Sequence, residues 1–279
     1  MEKNINQYDI EKFRETTEFR ISCIDFYFQQ LRNIKWRGGE RVLDIGCGPG
    51  DVTKKYIYSL LPQNFGKLVC ADISPEMLEA CKSEFLGIEH VEFLEMDIMK
   101  SPENSLKGYF DRIFSIYCFM YVSDQRKALQ NVFDLLAPGG DCWIIQAAGA
   151  PLLQPLFQLA ESPKWRARLK DARKMMNYPL NELQNIVETC ETYMKSAGFT
   201  DISVTLENNY HQMESQKDYE RFLASLPNPS KDFKDEDKEE LMRDQIEIAK
   251  SLNLFKEEFK SEPMKDPHRL IMFYGRKPQ

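Results

Sequence analysis

Apolar positions along the chain fall into short runs separated by longer stretches of helical period. Residues 42–45 and 68–71 are compact apolar runs, the first broken only by Asp44 and the second ending on Asp72, as strands buried on both faces would read. Residues 91–97 alternate apolar and polar and stop at Asp97. Residues 110–116 and 141–145 repeat the strand pattern, and 202–206 and 269–275 supply two more, for seven in all. Helical stretches lie between them. Ser74 and Pro75 form an N-cap and first helical residue ahead of a helix over 76–85. Residues 124–136 read as another helix, and Ala137-Pro138-Gly139-Gly140 as a turn. Strands alternating with helices predict an α/β fold around a parallel sheet.

The flanks of this series are helical. Residues 8–34 carry an apolar face of Tyr8, Phe13, Ile21, Ile24, Phe28 and Leu31. Residues 151–195 bring Phe157, Leu159, Trp165, Leu169, Met175 and Met176, and 218–260 bring Phe222, Leu223, Leu241, Ile246, Ile248 and Leu252. Residues 226–229 read as a loop and 231–240 as a solvated loop and helix start. There is no internal repeat. The expectation is a single domain over 1–279. It has an N-terminal helical segment (1–38), a core (39–150) and helical cover segments at about 151–195 and 218–260.

Residues 41–50, Arg-Val-Leu-Asp-Ile-Gly-Cys-Gly-Pro-Gly, carry the chemistry. A strand end, a loop with Gly46, Gly48 and Gly50, and a helix start at 51–55 form a nucleotide-type site, because glycines let the backbone turn sharply and approach a ligand. The dinucleotide fingerprint is G-x-G-x-x-G; here the spacing is G-x-G-x-G with Asp44 two residues before the first glycine. A nicotinamide oxidoreductase is therefore a distant reading. Asp72 lies 22 residues after Gly50, close to the ~20 expected of an acid that grips ribose hydroxyls. Asp44, Asp72 and Asp97 stand at three successive strand ends, which solvated surface acids do not explain.

A formal net charge of −7 and a pI near 5.3 argue against a nucleic-acid partner, and no basic patch with interleaved aromatics is present. Seven cysteines, at 23, 47, 70, 81, 118, 142 and 190, include no C-x-x-C pair, so no metal site is expected. Several fall in strands, which suits reduced thiols and a cytoplasmic location. The polar residues 1–11 do not read as a signal peptide, and no apolar run is long enough to span a membrane.

The D-x-G-x-G-x-G loop resembles motif I of the class I S-adenosylmethionine-dependent methyltransferases. Further segments narrow the resemblance to the insect juvenile hormone acid methyltransferases. They are Asn33-Ile34-Lys35-Trp36, Gly66-Lys67-Leu68-Val69, Ala71 through Met77, Phe114-Ser115-Ile116-Tyr117, Asn131 through Leu136 and Pro163-Lys164-Trp165. It covers most of the chain. It implies a doubly wound, mostly parallel, Rossmann-like seven-stranded sheet, S-adenosylmethionine as cofactor, and methyl transfer to the carboxylate of an isoprenoid or fatty acid. It implies cofactor contacts from Asp44, Gly46, Cys47, Gly48 and Gly50. It adds contacts from Asp72, Ile73 and Met77, from Asp97 and Ile98, and from Ser115. Substrate contacts fall to Tyr117, Phe119, Met120 and Tyr121. The partner expected is a small lipophilic molecule, and a homodimer stays open.

Two departures alter the acceptor half. Family members carry Leu-His-Trp after strand four, where this chain has Phe119-Met120-Tyr121. The family's substrate-binding Gln in the N-terminal helix has no counterpart; Thr16-Thr17-Glu18 occupies that region. A carboxylate, with a pKa of ~4, is ionised at neutral pH and needs no base, whereas a hydroxyl acceptor does. The histidines are His90, His211 and His268, none in the loop after strand four. His90 and His268 read as surface or capping residues; for His211, after strand six, reach into the pocket is the lesser reading. A carboxylate or an amine acceptor fits this pattern; a non-catalytic protein that binds S-adenosylmethionine is the remaining alternative.

Overall fold

A computed structural model of the chain describes residues 10–17, 25–149, 151–172, 179–180, 183–210, 212–226, 229–230, 232–256 and 264–279. Tyr8, Glu18, Ile21, Cys23, Ile24, Met175, Met176, His211 and part of the 226–229 loop lie outside them.

Seven strands form one sheet: β1 (Arg41–Ile45), β2 (Lys67–Asp72), β3 (Val91–Glu95), β4 (Phe110–Ile116), β5 (Leu136–Ala147), β6 (Thr200–Asn209) and β7 (His268–Arg276). Their order is β3-β2-β1-β4-β5-β7-β6. The first five pair in parallel, and β7 runs antiparallel between β5 and β6. The doubly wound, mostly parallel sheet read from the sequence is present.

Both faces are covered, as a parallel sheet requires. On one face Ile113, Ile144, Ile271 and Phe273 pack with α5 (Gln125–Leu135) and α7 (Ile186–Ala197) through Leu129, Val132 and Met194. On the other, Val42, Leu68, Phe114 and Met272 pack with α2 (Asp25–Leu31), the wide-turned α3 (Thr53–Tyr58) and α4 (Pro75–Glu84) through Phe28, Leu31, Ile57 and Leu78. A short α1 (Ile10–Glu15) precedes them. The cover consists of α6 (Gln154–Glu161), α8 (Gln216–Ala224) and α9 (Asp235–Ser251). It has apolar interiors of its own, one around Phe157, Tyr219 and Ile246 and another around Leu156, Trp165 and Leu241. Trp165 is fixed in place because its indole N–H donates to Asp244 at 2.7 Å.

Three local expectations change. The 137–140 segment is not a free turn but part of β5, because Gly139 N–H donates to the carbonyls of Lys277 and Pro278 and Lys277 N–H donates to Gly140. Pairing with the distant C-terminal residues overrides the Pro-Gly-Gly signal. The alternation through Asp97 outlasts its strand, which ends at Glu95. The helical cover is broken among the described residues: within 151–195 they form α6 and the start of α7 with turns at 162–171, and within 218–260 they form α8 and α9.

Among the described residues, six cysteines are free thiols, and no helix is long and apolar enough to cross a membrane.

Candidate functional site

The order β3-β2-β1-β4-β5 reverses direction between β1 and β4, so a crevice opens at the carboxyl edge of these two strands, where α/β sheets bind ligands. The glycine loop leaves β1 at that point. Gly46 and Cys47 donate their N–H groups to the Ala71 carbonyl at 2.7 and 3.0 Å, which ties the loop to the top of β2. Gly46 has φ +76°, and a Cβ there would lie 2.3 Å from that of Cys118. Gly50 has φ +90°, and a Cβ there would lie 2.7 Å from Cys81 Sγ. Both glycines are thus demanded by backbone conformation and by close approach of the loop after β4 and of α4.

The three strand-end acids converge on this edge but have different surroundings. Asp44 is buried; its Oδ2 accepts the Thr53 hydroxyl at 2.6 Å while its Oδ1 has no partner. Burial pushes its pKa up to about 7 against the pull of that hydrogen bond, with Cys81 and Asp72 adding to the rise. Asp72 accepts Gly48 N–H on Oδ2 and Ser74 N–H on Oδ1, both at 2.9 Å. Burial raises its pKa and these backbone donors oppose the rise. Asp97 stands two residues beyond β3 and accepts Met99 N–H at 2.9 Å. Ile73 is half-buried, and Met77 and Ile98 are buried. Ser74 caps α4 by accepting Met77 N–H, as its sequence context anticipates.

The other side of the crevice is the loop after β4. Tyr117 sits at φ +57°, which only a well-held chain tolerates for a residue with a Cβ. Burial pushes the Cys118 thiol up to about 12, so it stays protonated at neutral pH. A turn at Phe119–Tyr121 follows, with Tyr117 and Tyr121 half-buried and Met120 buried. Two expected contacts are placed otherwise. Phe119 is fully enclosed in the core between sheet and α5, and the Ser115 hydroxyl donates to the Ile45 carbonyl at 2.8 Å inside the sheet. Both hold the edge from beneath. Cys47 is likewise buried, and packs beside Cys70 and Cys81.

Several groups shape the site through contacts that the sequence does not announce. Asn131 of α5 donates to the carbonyls of Ile98 and Lys100 at 2.7 and 3.0 Å and so fixes the segment that carries Asp97. Gln125 donates to the Phe119 carbonyl at 2.9 Å and bonds Gln146, holding the 119–121 turn. At the N-terminus, Arg14 donates to the Pro49 and Ala80 carbonyls and pairs with Glu84, Thr17 bonds Asp51, and Thr16 bonds Ser225. Residues 14–17 thus bridge the glycine loop and the cover. Only an N-cap has a local sequence signal; these contacts join residues 6 to 209 positions apart, and all but one span more than 20. At the start of α5 lies a cavity of about 360 Å³ lined by Ser123, Asp124, Gln125, Arg126, Leu180, Leu183 and Tyr193, among others.

Residues 42–140 match the family model described as "Methyltransferase domain". With the sheet order and the glycine loop, this defines the class: the chain carries a methyltransferase domain of the class I, S-adenosylmethionine-dependent type. Over nearly its whole length it resembles juvenile hormone acid O-methyltransferases. It is 27% identical to that of Bombyx mori over 92% of this chain and 91% of the relative. It is 29% identical to that of Drosophila melanogaster over 88% and 83%. Among solved structures, it superposes with TM-score 0.52 and 18% identity on Haemonchus contortus phosphoethanolamine N-methyltransferase 2, determined with S-adenosyl-L-methionine. That match covers 91% of this chain and 52% of the other, so this chain spans about half of that protein.

Proposed function

We propose that the protein transfers a methyl group from S-adenosylmethionine to the carboxylate of a small lipophilic acid. One observation carries the reading. At a single sheet edge, a glycine cradle with three acids faces a loop, residues 117–123, that contains no His, Asp, Glu or Lys.

S-adenosylmethionine, when bound, supplies an electrophilic methyl on a sulfonium. The residues fit it: Gly46 and Gly50 leave no room for a Cβ, and an unpaired carboxylate oxygen of Asp44 lies beneath the loop. Gly46, Cys47, Gly48 and Gly50 present backbone to the methionine portion, with the Asp44 charge under its ammonium. Asp72 would accept the ribose hydroxyls on the lone pairs that its two backbone donors leave free. Ile73 and Met77 line the ribose side. Asp97 and Ile98 take the adenine edge, held by Asn131.

On the acceptor side the chain needs to orient and to dry, not to deprotonate. The acceptor carboxylate is already ionised, and Cys118 remains a thiol. Opposite charges on donor and acceptor partly cancel as they react, so a site without water favours the reaction, and placing the oxygen in line with the methyl removes most of the remaining entropy cost. Tyr117 and Met120 wall the site, and the Tyr121 hydroxyl donates to the carboxylate. The names of the two insect relatives, both acid O-methyltransferases, support the same chemistry.

The test is transfer from methyl-labelled S-adenosylmethionine to a panel of lipophilic acids with amines alongside. Ester formation on an acid is expected. Turnover of amines alone, or tight cofactor binding with no turnover of any acceptor, overturns the proposal.

A further inference from the structure

His268 opens β7, and its place follows from topology. Because β7 runs antiparallel to β5 and β6, its first residue lies at the carboxyl edge where the parallel strands end. Pairing persists to that end: Leu270 faces Ala147, Ala148 N–H donates to the Arg269 carbonyl at 2.8 Å, and His268 faces Asn209. His268 is half-buried, so the sequence reading of a surface residue holds only in part. His268 Nδ1 is shut off from solvent and has no hydrogen-bond partner. Burial lowers the imidazole pKa to about 4, so the ring is neutral at physiological pH, with one donor and one acceptor nitrogen.

Side chains alternate along a strand, so His268 shares a face with Leu270 and Met272. These belong to the apolar layer that includes Ile116 and Ile145, against which Tyr117 packs. Within the acceptor loop Tyr117 lies on this side of the sheet, whereas Phe119 and Val122 pack on the other. His268 and Tyr117 are not adjacent. Met272 is level with Ile145, which is level with Ile116. His268 lies four residues further along, ~13 Å at strand rise, and two strands across, ~10 Å, which puts it on the order of 15 Å from the end of β4. A carboxylate held by the 117–121 loop cannot reach it; the far end of an extended acid can.

We propose that His268 is a specificity-determining group that hydrogen-bonds an oxygen at the distal end of the acceptor, selecting lipophilic acids with a hydroxyl or carbonyl ~15 Å from the carboxylate. The inference rests on the acid-acceptor reading above. A buried nitrogen without a partner is costly, and a ligand oxygen that satisfies it recovers that cost. A plain hydrocarbon end leaves it unsatisfied, which is how buried polar groups discriminate between otherwise similar substrates.

The experiment is equilibrium binding of dodecanoic acid and 12-hydroxydodecanoic acid to the whole protein saturated with S-adenosylhomocysteine, so that no turnover is needed. The wild type is expected to bind the hydroxy acid about fivefold more tightly, the range of one net hydrogen bond. His268→Phe brings the ratio of the two affinities to about one, whatever change the acids share, and His268→Gln keeps most of the preference. Equal affinities in the wild type, or a preference that survives in His268→Phe, overturn the proposal alone. Failure of both acids to bind overturns it together with the acid-acceptor reading.

Discussion

Replacing Asp44 by Asn separates what this residue does for the fold from what it does for the ligand. The folded carboxyl is raised from 3.8 to about 7 because it is buried with one oxygen unpaired. This is the reverse of the usual carboxylate. Between pH 4 and pH 7 the folded state holds the proton more tightly than the unfolded state, so stability falls as pH rises through that window and is level above it. At ~1.4 kcal/mol per tenfold change in proton affinity, the folded anion is disfavoured by about 4 kcal/mol at pH 8. Asparagine keeps an acceptor for the Thr53 hydroxyl and carries no charge. Its unpaired amide adds a cost of about 1–2 kcal/mol that does not vary with pH. The stability of Asp44→Asn minus that of the wild type should therefore increase by about 4 kcal/mol between pH 4 and pH 8. Urea unfolding of the unliganded proteins, followed by tryptophan fluorescence, measures it. S-adenosylmethionine affinity at pH 8 should move the other way, falling at least about tenfold with loss of a charge near the ligand ammonium. A stability difference that is the same at both pH values refutes the argument, since it would mean that Asp44 titrates as an ordinary carboxylate in the folded state.

The other predictions concern single contacts. Gly46→Ala meets Cys118 and a left-handed backbone at once, so it should cost about 2 kcal/mol or more and abolish cofactor binding; native melting and affinity would contradict the packing described. Asp72→Ala leaves the Gly48 and Ser74 N–H groups without their acceptor, and should lower stability by about 1–3 kcal/mol and S-adenosylmethionine affinity at least about tenfold; calorimetry reads both, and unchanged affinity would remove the assigned ribose contact. Asn131→Ala strips donors from the Ile98 and Lys100 carbonyls and should cost about 2 kcal/mol, with faster amide exchange confined to residues 97–100 if the side chain holds that segment.

The strands and the glycine loop are legible in the sequence because each depends on a local property. Apolar runs marked β1, β2 and β4 to within a residue, and Ser74-Pro75 marked the start of α4, because burial period and capping are written in adjacent side chains. The positive φ angles of Gly46, Gly48 and Gly50 are likewise what three closely spaced glycines suggest. Three acids at strand ends could be placed on one edge once the strands were taken as parallel. What only the tertiary structure decided involves partners far apart in the chain. Gly139 extends a strand because residues 277 and 278 pair with it. Phe119 is core because α5 closes over it. Asp44 holds its proton up to about pH 7 because packing has removed water from one oxygen and supplied no donor. His268 reaches the carboxyl edge because β7 inserts antiparallel between β5 and β6. A residue's neighbours in sequence set its backbone preference and its face; its charge state and its partners follow from desolvation and pairing, which exist only once the chain has folded.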